Sequence, residues 1–340
     1  MPRQNVTLEH IAAAAGVSQM TVSRALASKP GVSRDKRDEI LRIAAELGYV
    51  GHRAEQRSSD RRSQIVGLIT AELHNPFIGE LVAGVGRAAR PAGYELLVYS
   101  LVEHDQPPLL SVLKLMQQVT AGIIALLPYE YRYLDALVAA RVPVITVDQH
   151  GQYSRFPSIA ADSYAGACMA MRHLIAQGHR RIAFITGNEH MASAQDRHRG
   201  YLDMLAQAGL PQDPALVVPG HYAKAEGYAA AQTLLALPER PTALFAANDM
   251  SALGALQAIR DAGLRIPDDV SVVGFDDIPA AEQQHPPLTT VRQPMQQMGR
   301  SAVNTLLALI AGLEAASPQI VLPTELVVRG STAPPRRVTA

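Results

Sequence analysis

Two sets of side chains in this 340-residue sequence have the types and spacing to do chemistry. The first is local. In SQMTVSR, Gln19, Met20, Ser23 and Arg24 gather at the start of one short helical pattern. Glutamine can pair bidentately with adenine and arginine with guanine, and a methionine can touch a thymine methyl. Ser18, Thr21 and Ser33 are short hydroxyls at helix starts, suited to phosphate contacts that set register. The second set is dispersed. Asp148 ends VPVITVD, Asn248 and Asp249 end TALFAAND, and Asp276 and Asp277 end VSVVGFDD. Asn75 and Phe77 follow QIVGLIT, and Arg197 comes soon after RIAFITG. Carboxylates, amides, a forked guanidinium and an aromatic face around one cleft would suit a polyhydroxyl ligand. Taken singly, each Asp or Asn after a strand is equally well read as a cap for the next helix.

The local set needs helices to present it. Thr7 can cap a helix from Leu8 to about Ala14, with Glu9 in the first turn and Leu8, Ile11, Ala12 and Ala15 at helical spacing. Gly16 can supply a turn with positive φ. Ser18 then caps a second helix, Gln19 to about Ala27, whose Val22 and Leu26 face inward. Pro30-Gly31 breaks the chain, and Ser33 caps a third helix carrying Ile40, Ile43, Ala44 and Leu47, with Gly48 as its stop. Helix, short Gly-containing turn and short helix is a helix-turn-helix pattern, with the start of the second helix free to enter a major groove. That spacing alone is weak evidence, but charge strengthens it. Residues 1–62 hold 11 Lys+Arg against 7 Asp+Glu, while the remainder holds 20 against 24, a basic head on an acidic body.

The dispersed set needs strands. From Gln64 onward, QIVGLIT, YELLVYS, GIIALL, VPVITVD, RIAFITG, TALFAAND and VSVVGFDD alternate with helical runs. Near-continuous apolar strands between helices imply parallel sheets covered on both faces, and ligands bind such sheets outside the carboxyl ends of the strands. The length exceeds one comfortable core, so two doubly wound lobes are expected. Their seam is placed near Ala160, with TTVRQP and the tail crossing back. The expected fold class is α/β: a helix-turn-helix head and a two-lobed doubly wound domain.

Several other functions lack their signatures. GVGRAA, the nearest match to a dinucleotide fingerprint, falls inside a helical run and lacks the third Gly, so its glycines read as packing positions. G-x-S-x-G, H-E-x-x-H and the P-loop pattern do not occur. Adjacent Asp276-Asp277 side chains point apart, unlike a glycosidase pair. The eleven histidines give no metal-ligand spacing, and neither metal nor cofactor is expected. The single Cys168 reads as a buried structural thiol. MPRQNVTLEH has no apolar signal core, and no run suits a membrane span, so a cytoplasmic protein without membrane contact is expected.

With these residues in view, VTLEHIAAAAGVSQMTVSRAL and GVSRDKRDEILRIAAELGY resemble the DNA-binding head of the LacI/GalR family of bacterial transcriptional repressors. In the body, HNPF, GHRRIAFITG, RHRGY, AANDMSALGALQAIRDAGLRIPDDVSVVGFDD and PPLTTVRQPMQQMG resemble the same family and its periplasmic sugar-binding relatives. The resemblance implies that Gln19 and Met20 select the operator, that Arg24 contacts a base, and that Thr7, Thr21, Ser33 and Tyr49 contact the backbone. With Leu8, Ser18, Ser23, Arg53 and Arg57 these make up the DNA-facing set. It further implies that Arg197, Asn248 and Asp276 hold an effector from the C-terminal lobe, that Tyr222 stacks on it, and that Phe77 and Asp148 line the other side of the cleft. Its partners would be operator DNA, a small effector of sugar type and a second copy of the chain. STAPPRRVTA carries no leucine heptad, so the expectation is a dimer. A solute-binding protein sharing the body, and a nucleotide-cofactor enzyme, are the alternative readings.

The sequence departs from the family pattern in two places. Ala27 stands where the family usually has Asn, which removes that contact. In GHRAEQRSSDRR, where the resemblance implies a hinge helix that slides a leucine into the minor groove, Gly51 and His52 replace the usual Pro-Asn and Ser58 stands at the leucine position. Its arginines favour phosphates, which implies weaker operator bending. The expected domains are a head at 1–50, a hinge at 51–62 and an effector and dimerisation domain at 63–340. The N-terminal lobe is expected at about 63–160 plus 291–323, and the C-terminal lobe at about 161–290 plus 324–333.

Overall fold

The structure is a computed structural model; it describes residues 7–26, 31–47, 63–70, 73, 75–101, 109–126, 142–148, 156–313 and 319–336. The chain divides into two units, Met1–Ser63 and Gln64–Ala340.

In the first unit, α1 (Leu8–Ala15), α2 (Gln19–Leu26) and α3 (Arg34–Glu46) enclose a small core of Ile11, Ala12, Ala15, Val22, Ala25, Ile40 and Ala44. Four of the seven are alanines, so the helices cross closely. Thr7 precedes α1 in extended conformation and donates its amide to His10 Nδ1 at 3.0 Å. Gly16 ends α1 at φ 62, the left-handed conformation in which glycine lacks the Cβ penalty. The Ser18 hydroxyl receives the Thr21 amide at 3.2 Å and so caps α2. Leu47, expected to follow Ile43 and Ala44 inward, is exposed because α3 has ended at Glu46.

The second unit holds two six-stranded sheets among the described residues. Sheet one runs β11-β5-β4-β3-β1-β2, from Gln319–Leu322, Ser158–Ala161, Val144–Val147, Gly122–Leu126, Ile65–Thr70 and Glu95–Ser100, and is parallel throughout. Sheet two runs β12-β10-β9-β8-β6-β7, from Glu325–Val327, Thr289–Arg292, Ser271–Asp276, Ala243–Ala246, Ile182–Thr186 and Val217–Pro219. Only its edge strand β12 is antiparallel. β3, β4, β8 and β9 are buried along their whole length, as parallel strands covered on both faces must be.

Sheet one is flanked by α4 (Pro76–Ala89), α5 (Leu109–Val119) and, later in the chain, α11 (Met295–Ile310). α4 and α11 pack closely because Gly84 and Gly299 meet backbone where any Cβ would collide. Gly86, also expected to be a packing glycine, has only the Leu96 side chain at ordinary distance. Sheet two is flanked by α6 (Ser163–Ala176), α7 (Ala192–Gln207), α8 (Lys224–Leu235) and α9 (Asp249–Asp261), with the single turn α10 (Pro279–Glu282) after β9. Cys168 is buried on α6.

The chain passes between lobes three times: after Ala161, at Gln293-Pro294 and after Leu322. The middle crossing lies beyond the expected boundary at 290/291, because Val291 and Arg292 still pair with Phe275 and Asp276 of β9. Two crossings are tied together: Asp162 N donates to Leu322 O at 2.8 Å and Thr324 Oγ1 to Asp162 O at 3.1 Å. Among the described residues, no helix is long and apolar enough to cross a membrane.

Candidate functional site

The head presents its polar residues to solvent. Ser18, Gln19, Met20, Ser23, Arg24, Ser33 and Thr7 are exposed, and Met20 is 66% exposed. An apolar side chain so exposed at a helix start is unfavourable in isolation and suits contact with a partner. Thr21 is half-buried, its hydroxyl 2.9 Å from that of Ser18. Leu8 is also half-buried and packs on the core of the head, which explains its apolar character without a partner. Tyr49, Arg53 and Arg57, together with Ala27, Gly51, His52 and Ser58, lie outside the described residues.

The dispersed residues converge at the carboxyl ends of β4, β7, β8 and β9, on loops whose backbones are strained. Asp148, His221, Tyr222, Asp276 and Asp277 all have positive φ, from 48° to 117°. They are the only non-glycine residues among those described that do so. Left-handed conformations at non-glycine residues cost about 1–3 kcal/mol each and cluster where side chains must be aimed.

Arg197, on α7, is 2% exposed and lies at the centre. Its Nη1 donates to Ala247 O at 2.6 Å and lies 3.7 Å from Asp276 Oδ1, and its Nε is 3.3 Å from Ser163 Oγ. The guanidinium carbon lies 3.7 Å from the centre of the Phe275 ring and 5.6 Å from that of Tyr222. A buried guanidinium between two aromatic faces is a fixed fork of donors in low dielectric. Asp276 accepts a 2.7 Å hydrogen bond from Gln293 Nε2. Burial pushes its carboxyl up to about 7, with Asp148 adding to the rise, while Arg197 and Gln293 oppose it.

Asp148 belongs to the first lobe and Ser193 to the second. Ser193 Oγ donates to Asp148 Oδ2 at 2.9 Å, which makes a buried bond between lobes, and lies 3.3 Å from the Tyr222 hydroxyl. Burial pushes the Tyr222 phenol up to about 12, so it stays protonated and able to donate. Its ring lies against Gly187, where a Cβ would overlap it. Asn248 both caps α9, accepting from Ser251 N at 2.9 Å, and donates Nδ2 to Tyr222 O at 3.0 Å. A primary amide has two N–H donors, so one remains for a ligand.

Asp249, the neighbour of Asn248, points away from the cleft. It is fully buried and accepts from Thr290 Oγ1 and Ile278 N, which holds β10 and the start of α10 together. Burial, then the nearby Asp276, raise its carboxyl well above the usual range. Asp277 likewise turns away, toward Arg292 and Arg329.

The structure thus brings Asp148, Arg197, Tyr222, Asn248 and Asp276 together. Phe77 is half-buried and packs on the hydrophobic core of the first lobe, and the Asn75 side chain accepts from Phe77 N as the cap of α4. Sequence reasoning missed Ser193, Phe275 and Gln293. Ser193 carried a usable signal, since it stands four residues before Arg197 on the same helix face. Phe275 reads as an ordinary core residue of an apolar strand. Among the described residues, no cluster of His, Cys, Asp and Glu is placed to hold a metal ion.

Residues 7–51 match the family model for bacterial regulatory proteins of the lacI family, and residues 171–332 that for a periplasmic binding protein-like domain. The HTH-type transcriptional regulator MalR of Streptomyces coelicolor is 38% identical, with 96% of each chain covered. The HTH-type transcriptional repressor CytR of Escherichia coli is 31% identical, again with 96% of each covered. Among solved structures, the lac repressor dimer bound to operator and the anti-inducer ONPF aligns with a TM-score of 0.77 at 30% identity, covering 97% of this chain and 100% of that one. The complex of the transcriptional regulator CelR with cellobiose aligns with a TM-score of 0.74 at 33% identity, covering 96% and 100%.

Proposed function

The chain belongs to the LacI family of bacterial regulatory proteins, and on that premise we propose that it is a cytoplasmic repressor that binds a roughly palindromic operator as a homodimer and answers to a carbohydrate effector held between its lobes. The observation that carries the effector reading is the convergence of Asp148, Arg197, Tyr222, Asn248 and Asp276 on one cleft, with strained backbone at three of the five. Two carboxylates accept from vicinal hydroxyls, the guanidinium and amide donate, and the Tyr222 ring offers a flat face to the apolar side of a sugar. The cellobiose bound by the CelR neighbour is of this chemical type.

The cleft groups satisfy one another: Ser193 with Asp148, Gln293 with Asp276, Arg197 with Ala247 O. An effector must replace these bonds with its own. Because Asp148 comes from one lobe and Arg197 and Asp276 from the other, such a ligand binds one lobe orientation better than another. That difference in affinity is the free energy available to change operator binding. In the head, Gln19, Met20 and Arg24 read base edges while Thr7, Ser18, Thr21, Ser23 and Ser33 hold phosphates. Tyr49, Arg53 and Arg57 complete the phosphate set.

A thermal-shift screen of mono- and disaccharides tests the cleft, since a ligand of the folded state raises apparent stability. Hits should shift the wild type and lose their shift in Asp148→Asn and Ser193→Ala, two variants that keep Arg197 paired with Asp276. A sugar that stabilises both variants as well as the wild type rejects the assignment.

A further inference from the structure

The Asp276-Asp277 dipeptide faces two ways. Asp276 turns into the cleft, while Asp277 lies on the wall of a second cavity of about 540 Å³ at the middle lobe crossing. Gln293 belongs to both: its Nε2 holds Asp276, and it lines the second cavity. Its Oε1 is buried without a hydrogen-bond partner, although Gln293 is only 4% exposed. A buried acceptor that nothing pairs with costs about 1–3 kcal/mol.

The cavity walls come from different lobes, and each carries both signs of charge. The first lobe contributes Glu80 on α4 and Arg300 on α11. The second contributes Asp277, Glu282 on α10, Arg292 and Arg329. The ion pairs formed here lie within the second lobe: Asp277 with Arg292 and with Arg329, each at 2.7 Å, and Arg292 with Glu325 at 3.4 Å. One carboxylate is therefore shared by two arginines. Glu80, Glu282 and Arg300 make no ion pair among the described residues; Glu282 adds to the negative field on Arg292 of its own lobe, and the three line the cavity together with groups of opposite charge.

The geometry points to a cross-lobe latch, shown here in its open form. In the alternative lobe orientation the cavity closes, Arg300 of the first lobe pairs with Glu282 of the second, and Glu80 takes Arg292 while Arg329 keeps Asp277. The lobes turn about the crossings at Asp162, Gln293-Pro294 and Pro323-Thr324. Rotation that closes the cavity also moves Gln293 and Asp276, so the latch sets the lobe orientation that the cleft offers before any effector arrives. Exposed ion pairs contribute little to global stability. Between two orientations of similar free energy, however, a pair worth a few-fold in population is enough to bias the balance. The latch does not depend on which molecule occupies the cleft.

Distance measurement between spin labels tests it in the full-length chain without ligand. Labels at Gln283→Cys in the second lobe and Asn304→Cys in the first, in a Cys168→Ala background and diluted with unlabelled chain, read the lobe spacing beside the cavity. The parent should show a shorter-spacing population. Arg300→Glu and Glu282→Arg should each reduce it about threefold, the scale of one exposed ion pair. Combining them restores the opposite charges and should return the population to the parent value. Identical distance distributions in all four proteins would overturn the latch, as would a double variant no closer to the parent than the single ones. Arg300 and Glu282 are both exposed, so all four proteins should fold, and circular dichroism verifies it.

Discussion

In the head, Gln19, Met20, Ser23 and Arg24 stand exposed on one short helix, whereas in the cleft Arg197 and Asp276 are 2% and 4% exposed and come from different secondary elements. The contrast follows from what each region has to recognise. Duplex DNA is a large polyanion that meets the protein at its surface, so the reading residues need only a helix start and a clear approach. A small ligand offers few contacts, so each must be made in low dielectric by a group already held in place. On the proposed reading, the head therefore keeps its DNA-facing residues independent of its folding. The cleft makes folding and function share the same residues, with strained backbone at Asp148, Tyr222 and Asp276.

The sharpest way to break this contrast is to remove one charge from each region. Arg197→Ala leaves Asp276 buried without its cation and strips the Phe275 face. Loss of one partner of a buried pair typically costs about 3–5 kcal/mol, which denaturant titration should detect in the second unit. Arg24→Ala should leave that unfolding unchanged and weaken operator binding by about 1–3 kcal/mol, the worth of a bidentate base contact. If Arg24→Ala destabilised the protein as much as Arg197→Ala, the division would fail.

Gly187→Ala probes the cleft more gently. The added methyl overlaps the Tyr222 ring, which must shift and loosen its contact with Ser193. Overpacking of this kind costs about 1–3 kcal/mol. Operator affinity without effector should be unchanged, and any sugar response should weaken.

The cleft should also show a pH dependence. Asp276 titrates near 7 in the folded protein, against about 3.9 in an unfolded chain. Between those values the folded state binds more protons than the unfolded one, so the contribution of Asp276 to stability falls as pH rises from about 4 to about 7. Arg197, Asp148, Gln293 and Asp249 are the groups around it. Asp276→Asn should flatten that part of a plot of unfolding midpoint against pH. A ligand hydroxyl that donates to Asp276 binds the ionised form, so effector affinity should improve as pH rises toward 7 and then level off.

The same contrast decides how much was legible in the sequence. The helices of the head and their caps follow from local spacing: Ser18, Gly16 and the Ile11-Ala12-Ala15 face lie within a few residues of what they control. The strands of the body were legible where apolar runs were long, as in IVGLIT and SVVGF, and not where they were short, as in SIAA and VVP. Apart from the family resemblance, which alone pointed to Tyr222, cleft residues were legible only through the rule that ligands sit beyond strand ends. That rule found Asp148, Asn248 and Asp276 but could not separate Asp276 from Asp277, or Asn248 from Asp249, because which neighbour turns inward depends on tertiary backbone twist. Gln293 was illegible because its role arises where the chain changes lobes, a junction that strand periodicity does not mark.

The central claim is that an exposed, sequence-reading head is joined to a buried, ligand-reading cleft. The most direct measurement is a mobility-shift titration of the full-length chain on the DNA upstream of its own gene against random DNA of equal length, from 50 to 200 mM salt. Specific affinity should exceed random affinity by about 10³ or more, and both should fall steeply with salt as phosphate contacts release counterions. Equal affinity for the two DNAs at every salt concentration would contradict the account.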